Sequence, residues 1–142
     1  MKVVIGSDHA GFSMKEAIKP LLQAEGFSVE DMGTHSEESA DYPDYAHAVA
    51  AAIAANQYEC GILICGSANG VCMTANKHAG VRAAICWNVE LAALARQHNN
   101  ANILCLPARF ITPELALDIV KQFLHTGFEG GRHQRRVNKI NP

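Results

Sequence analysis

Five short apolar runs, separated by segments of helical length, restrict this chain more than any other feature. The runs are Lys2–Gly6, Phe27–Met32, Gly61–Cys65, Val81–Cys86 and Ile103–Leu106. Four of them are nearly continuous in apolar residues, the pattern of strands buried on both faces. Between them, Met14–Glu25 places apolar residues at 14, 17, 18, 21 and 22 and is closed by Gly26, a helical stripe with a glycine stop. Tyr45–Tyr58 is rich in alanine, and Asn88–His98 repeats apolar residues. Pro113–His125 opens with Thr112 as N-cap and proline at the first helical position. Strand and helix in alternation predict a parallel sheet covered on both faces, an open α/β domain. The 142 residues suffice for one full core and are too few for two, so residues 1–142 read as a single domain without repeat or linker.

Composition narrows the class. Apolar residues make up 49% of the chain and charged residues 18%, against roughly 25% charged in an average soluble domain. A chain with so little polar cover is not disordered, and it is expected to hide part of its surface in an oligomer. No apolar run approaches the ~18 residues of a membrane span, and the first residues lack a signal-peptide pattern. Five cysteines, at 60, 65, 72, 86 and 105, are an odd number without C-x-x-C spacing. Reduced thiols in the cytoplasm fit them better than disulfides or zinc. The net charge of −2 hides an asymmetry: residues 1–129 carry −6, and residues 130–142 carry four bases and no acid. With a pI near 6.4 the chain is no general nucleic-acid binder, although a small anion suits its tail.

Ligands of an open parallel sheet gather beyond the carboxyl ends of its strands. Asp8 and His9 follow the first strand, the loop Gly66, Ser67, Ala68, Asn69, Gly70 follows the third, and Arg109 follows the fifth. A glycine-bounded loop between strand and helix can aim several N–H groups at one phosphate or developing oxyanion. It matches neither a P-loop nor G-x-G-x-x-G, and a plain tight turn is its competing reading. Cys65 stands at a strand end before a helix N-terminus, where a thiol gains acidity, although free cysteine is also commonly just core. His98, near the end of the fourth helix, would be favoured as imidazolium by the helix dipole. Arg132 and Arg136 are spaced i, i+4, so a helix would set two forked donors side by side, suited to a phosphate. A solvated basic tail is the ordinary alternative.

Taken together, GSDHAG at the N-terminus, DYPDYA at 41–46, ILICGSANGVCMTANK at 62–77, ARQHNN at 95–100 and EGGRHQRRV at 129–137 resemble ribose-5-phosphate isomerase, type B. The wider family includes allose-6-phosphate and galactose-6-phosphate isomerases. The resemblance runs along essentially the whole chain. It implies a Rossmann-like three-layer fold with a five-stranded parallel sheet, a homodimer with sites between subunits, further pairing into tetramers in some members, and no metal or organic cofactor. It also implies roles: Cys65 as the base moving a proton between C2 and C1, and His98 as the acid that helps open the sugar ring. Gly66 to Gly70 match the loop that stabilises the enediolate, with Ser67 close to the reacting oxygens. Asp8, His9, Tyr42 in the long loop, Asn99, Arg109, Arg132 and Arg136 match substrate- and phosphate-binding positions.

The family has two subtypes, one with cysteine as base at position 65, the other with glutamate at 71. The surroundings here look like the glutamate subtype, yet position 71 is Val71, which takes no proton, and Cys65 is present. Chemistry decides for Cys65, with Cys72 a less suitable thiol nearby. Ala68 stands where glycine is usual and is expected to restrict the loop. The rival readings are a hexose 6-phosphate isomerase with the same chemistry, a non-catalytic sugar-phosphate sensor, and a flavodoxin-like electron carrier, for which no aromatic flavin sandwich is present.

Overall fold

The structure, a computed structural model, describes residues 1–142. Five strands alternate with helices: β1 Lys2–Ser7, α1 His9–Ala24, β2 Ser28–Asp31, α2 Tyr42–Ala54, β3 Cys60–Cys65, α3 Asn69–Ala75, β4 Ala83–Ile85, α4 Val89–Asn99, β5 Ile103–Pro107, α5 Pro113–His125 and α6 Arg132–Val137. All pairings are parallel, in the order β2-β1-β3-β5-β4. The central strands β3 and β5 are buried at every residue, which accounts for their unbroken apolar sequence. Val3, Ile5, Ile62, Ile64, Leu104 and Leu106 face one core with α1, α4 and α5. Val4, Leu63, Cys65, Ile103 and Cys105 face a second core with α2 and α3. The three-layer α/β architecture is therefore the one the alternating runs predict. No helix is long and apolar enough to cross a membrane.

Element ends depart from the sequence reading in ways with local causes. Helix α1 starts at His9 rather than Met14, because the Asp8 side chain caps it by accepting from Gly11 N–H at 3.1 Å. Gly11 is obligatory there: a Cβ would lie 2.5 Å from the Ile64 carbonyl oxygen, so only glycine lets α1 approach the β3 backbone this closely. Helix α2 starts at Tyr42 and ends at Ala54, not at 45 and 58. Pro43 and Asp44 in its first turn are helix-opening residues that a reading of the acidic stretch as loop passes over. Strand β4 is only Ala83–Ile85, shorter than the run that announced it.

One polar cluster interrupts the α1 face. Lys15, whose side chain is fully buried, donates to Asp31 Oδ2 at 2.6 Å and to Glu16 at 3.1 Å. Lys19 reaches the same Asp31 oxygen at 2.7 Å, so one carboxylate offsets the repulsion of an i, i+4 lysine pair. Asp31 Oδ1 accepts from Gly33 N–H at 2.8 Å. Burial pushes the Asp31 carboxyl up, but Lys15, Lys19 and the Gly33 N–H together hold it below its usual value. Its stabilisation is therefore fully present above the unfolded value of about 3.9 and is lost as pH falls through the folded one. Removing one partner of a buried pair costs roughly 3–5 kcal/mol. Because Glu16 still reaches Lys15, Asp31→Ala should cost less, about 2 kcal/mol. Urea melts at neutral pH test this, and the gap between variant and wild type should close towards pH 2.

Candidate active site

Strand β1 leads out to β2 on one side, while β3 lies on its other side. Loops beyond such a switch point diverge and leave a crevice at the strand carboxyl ends. A cleft of about 300 Å³ opens there, lined by Asp8, His9, Ala10, Tyr42, Cys65, Gly66, Ser67, Gly70 and Arg109. Thr34 N–H donates to Ser7 C=O and Ser7 N–H to Gly33 C=O, both at 2.7 Å, which ties the segment after β2 to the β1 end. His9 Nδ1 lies 3.1 Å from Ala40 N and 3.2 Å from Ala40 C=O, which ties the ring to the segment before α2. Tyr42 belongs to the first turn of α2, not to the preceding loop. Its ring covers Gly70 so closely that a Cβ on Gly70 would lie 2.4 Å from it. Arg109 donates its N–H to Gly66 C=O at 3.1 Å, and its guanidinium spans Gly66, where a Cβ would sit 3.0 Å from Cζ.

The loop itself is a donor cradle. The backbone N–H groups of Gly66, Ser67, Ala68 and Gly70 donate to no protein acceptor. Asn69 is the exception, its N–H and Nδ2 both reaching Ser67 Oγ at 3.3 and 3.2 Å. Ala68 adopts φ +67° despite its side chain, in the left-handed region that costs a non-glycine residue about 1 kcal/mol. Its buried methyl packs with Val71 and Ala75, and the loop takes the positive-φ bend that alanine was expected to hinder. Cys65, 5% exposed, closes β3 at the floor of this cleft.

The other thiols have different settings. Cys60 is pushed up by burial, Cys105 strongly so, and Cys86 up to about 12 by burial and the neighbouring Cys72. Cys72 is drawn below its usual value by a hydrogen bond with Cys105, against burial. Its Sγ lies 3.4 Å from Ala83 C=O, away from the cleft. Val71 is fully buried in the core that also holds Cys65.

The remaining predicted residues lie elsewhere. Helix α4 runs back along the sheet, so His98 and Asn99 at its C-terminal end stand at the amino edge of the strands. There Asn102, just before β5, accepts from Gly61 N–H at 2.9 Å. Arg96 fastens this end by donating from Nε to Thr126 C=O at 3.0 Å and from a terminal nitrogen to Ala101 C=O. His98, Asn99, His133, Arg136, Val137 and Ile140 line a second cleft of about 290 Å³. Arg132 opens α6, whose helical turn sets it one turn from Arg136 as their spacing predicts. The predicted residues thus form two groups separated by the length of β3, roughly 17–20 Å. One chain cannot bring them to one small molecule.

Sequence reasoning passed over two residues of the second group. The His133 ring stacks on His98 with centroids 4.2 Å apart and planes 11° from parallel. Glu129 Oε1 lies 3.7 Å from His98 Nε2 and 3.5 Å from His133 Nε2. The i, i+4 spacing of Glu129 and His133 was the available signal. Burial, the positive neighbours Arg132 and Arg136, and His98 lower the affinity of His133 for a proton, against the pull of Glu129.

Known proteins supply what geometry alone does not. The chain matches the Ribose/Galactose Isomerase family over residues 3–140. It is 46% identical over 139 residues to ribose-5-phosphate isomerase B of Escherichia coli, covering 98% of this chain and 93% of that one. A crystal structure of a ribose 5-phosphate isomerase from Thermotoga maritima superposes with a TM-score of 0.97 at 54% identity, covering 99% and 97% of the two chains. Ribose-5-phosphate isomerase B of Mycoplasma genitalium, solved with bound ribulose-5-phosphate, gives 0.94 at 48% identity, with 98% and 93% covered. A match of this length and depth settles kinship: the chain is an isomerase and belongs to the ribose/galactose isomerase family.

Proposed function

We propose that this chain interconverts ribose 5-phosphate and ribulose 5-phosphate, a step of the pentose phosphate pathway, without metal or organic cofactor. The observation that carries the reading is the row of backbone N–H groups at Gly66, Ser67, Ala68 and Gly70, free of protein acceptors and beside the Cys65 thiol. Such donors hold an enediolate far better in a shielded cleft than water does. Cys65, as thiolate, takes the C2 proton of the open-chain aldose and returns it to C1, while a proton passes from O2 to O1. Ser67 lies against the reacting oxygens. Asp8, His9, Tyr42, Asn69 and Arg109 bind the sugar phosphate.

The substrate reaches both groups of residues only if a second copy brings its amino edge against the carboxyl edge of the first. We therefore place His98, as the acid of ring opening, and Asn99, Arg132 and Arg136 in the partner's half of each site of a homodimer. Exposed Trp87 and Phe110, in a hollow that shares Ser67 with the cleft, support burial of this face by another chain. Two guanidinium forks give the phosphate an anchor away from the reacting carbons, where binding energy aids the chemistry. The five free cysteines are suited to a reducing compartment, the cytoplasm.

A coupled assay with ribose 5-phosphate and allose 6-phosphate side by side tests the assignment. Turnover should be faster with the pentose. Faster turnover of the hexose would move the assignment to a hexose 6-phosphate isomerase, and turnover of neither would leave a sensor.

A further inference from the structure

The stacked histidines and their shared carboxylate have the donor set of a transition-metal site. We propose that His98, Glu129 and His133 bind a divalent ion of the zinc class, which inhibits the enzyme by occupying the imidazole that opens the sugar. The inhibition rests on the role proposed for His98; the metal site itself does not.

Two imidazoles and one carboxylate are a common zinc triad, and with three protein ligands a fourth position stays open to water or phosphate. Tetrahedral ligands on bonds of 2.0–2.1 Å stand about 3.3 Å apart. Glu129 Oε1 is already 3.7 and 3.5 Å from the two imidazole Nε2 atoms, and all three ligand atoms lie within 4.8 Å of one another. The lone pairs of two parallel rings do not converge on one ion, so closing the triad turns the half-exposed His98 ring out of its stack. The scaffold beneath is fixed. Glu129 N–H donates to Gln97 C=O at 3.1 Å, joining the turn to α4, and His133 N–H donates to Gly130 C=O at 3.0 Å. His133 is nearly buried, whereas the side chains of His98 and Glu129 remain 42% and 52% exposed, so an ion can enter.

Arg132 and Arg136 on the same helix oppose a dication, so affinity should be micromolar rather than that of a closed structural site. Magnesium, which prefers six oxygens, should not compete. No electron is transferred; the ion displaces a proton from any protonated imidazole and occupies the lone pair that would otherwise carry the proton His98 donates.

The test is a zinc titration against a chromophoric chelator, with Co²⁺ absorption as a second readout. Wild type should take one ion per chain at micromolar free Zn²⁺, and magnesium should leave this unchanged. Glu129→Gln and His133→Gln should each weaken binding at least about tenfold. Cys72→Ser should bind normally, and bound Co²⁺ should show no thiolate charge-transfer band. No saturable binding in this range, unchanged affinity in both triad variants, or a thiolate band would overturn the site. In the isomerase assay zinc should inhibit wild type reversibly and spare Glu129→Gln. Binding as described with activity untouched would uphold the site and remove His98 from ring opening.

Discussion

Mixing Cys65→Ala chains with Arg136→Ala chains, under conditions that let subunits exchange, should restore isomerase activity that neither variant has alone. The reason is the geometry of one chain: Cys65 ends β3, while Arg136 sits with His98 at the far edge of the sheet. In the proposed two-fold dimer each site would take Cys65 from one copy and Arg136 from the other. A mixed dimer then holds one site with both groups intact and one with both missing. Random assortment makes half the dimers mixed, so the mixture should reach about a quarter of wild-type specific activity. Mixed dimers recovered through two affinity tags but inactive would show that the two edges do not share a substrate. A sedimentation coefficient of a monomer at micromolar concentration would remove the composite site altogether.

The sheet could be read from the chain because buried parallel strands leave an unmistakable apolar signature, and β1, β3 and β5 lie where their runs predict. The sequence reading starts helices α1 and α2 too late because their first turns are polar, and it runs α2 past its end at Ala54. His9 and Tyr42 serve helix and cleft at once, and a pattern based on apolar stripes sees only the later turns. The donor loop was legible as a strand–glycine–helix junction, but not that Ala68 would bend to φ +67°. A buried methyl and the packing of α3 on the second core outweigh a penalty of about 1 kcal/mol. The division of the candidate residues between two edges follows from helix α4 running antiparallel to its strands, which Arg96-to-Asn100 spacing alone does not express. The i, i+4 spacing of Glu129 and His133 is legible in the sequence, but their meeting with His98 depends on the turn at Gly130 and Gly131, both at positive φ, and on where α4 ends.

Replacing the Cys65 thiol should have the second large effect. A positioned general base contributes typically 10²–10⁴-fold, so Cys65→Ala should lose roughly that factor in kcat and still bind sugar phosphate. Val71 cannot substitute, being buried and apolar. Cys72→Ala should stay close to wild type, since its thiol engages Cys105 and Ala83 rather than the cleft. Loss of turnover in Cys65→Ala does not by itself identify the base, because damage to ring opening at His98 gives the same loss.

Exchange of the carbon-bound proton that the base moves separates the two steps. The decisive measurement follows deuterium entry from heavy water by NMR at C1 of ribulose 5-phosphate, a ketose with no ring to open, so that the base is read without ring opening. Wild type and Cys72→Ala should exchange this proton readily, and a folded Cys65→Ala protein that binds the sugar phosphate should not. Exchange at the wild-type rate in Cys65→Ala would contradict the account and put the base elsewhere, at Cys72 or Asp8.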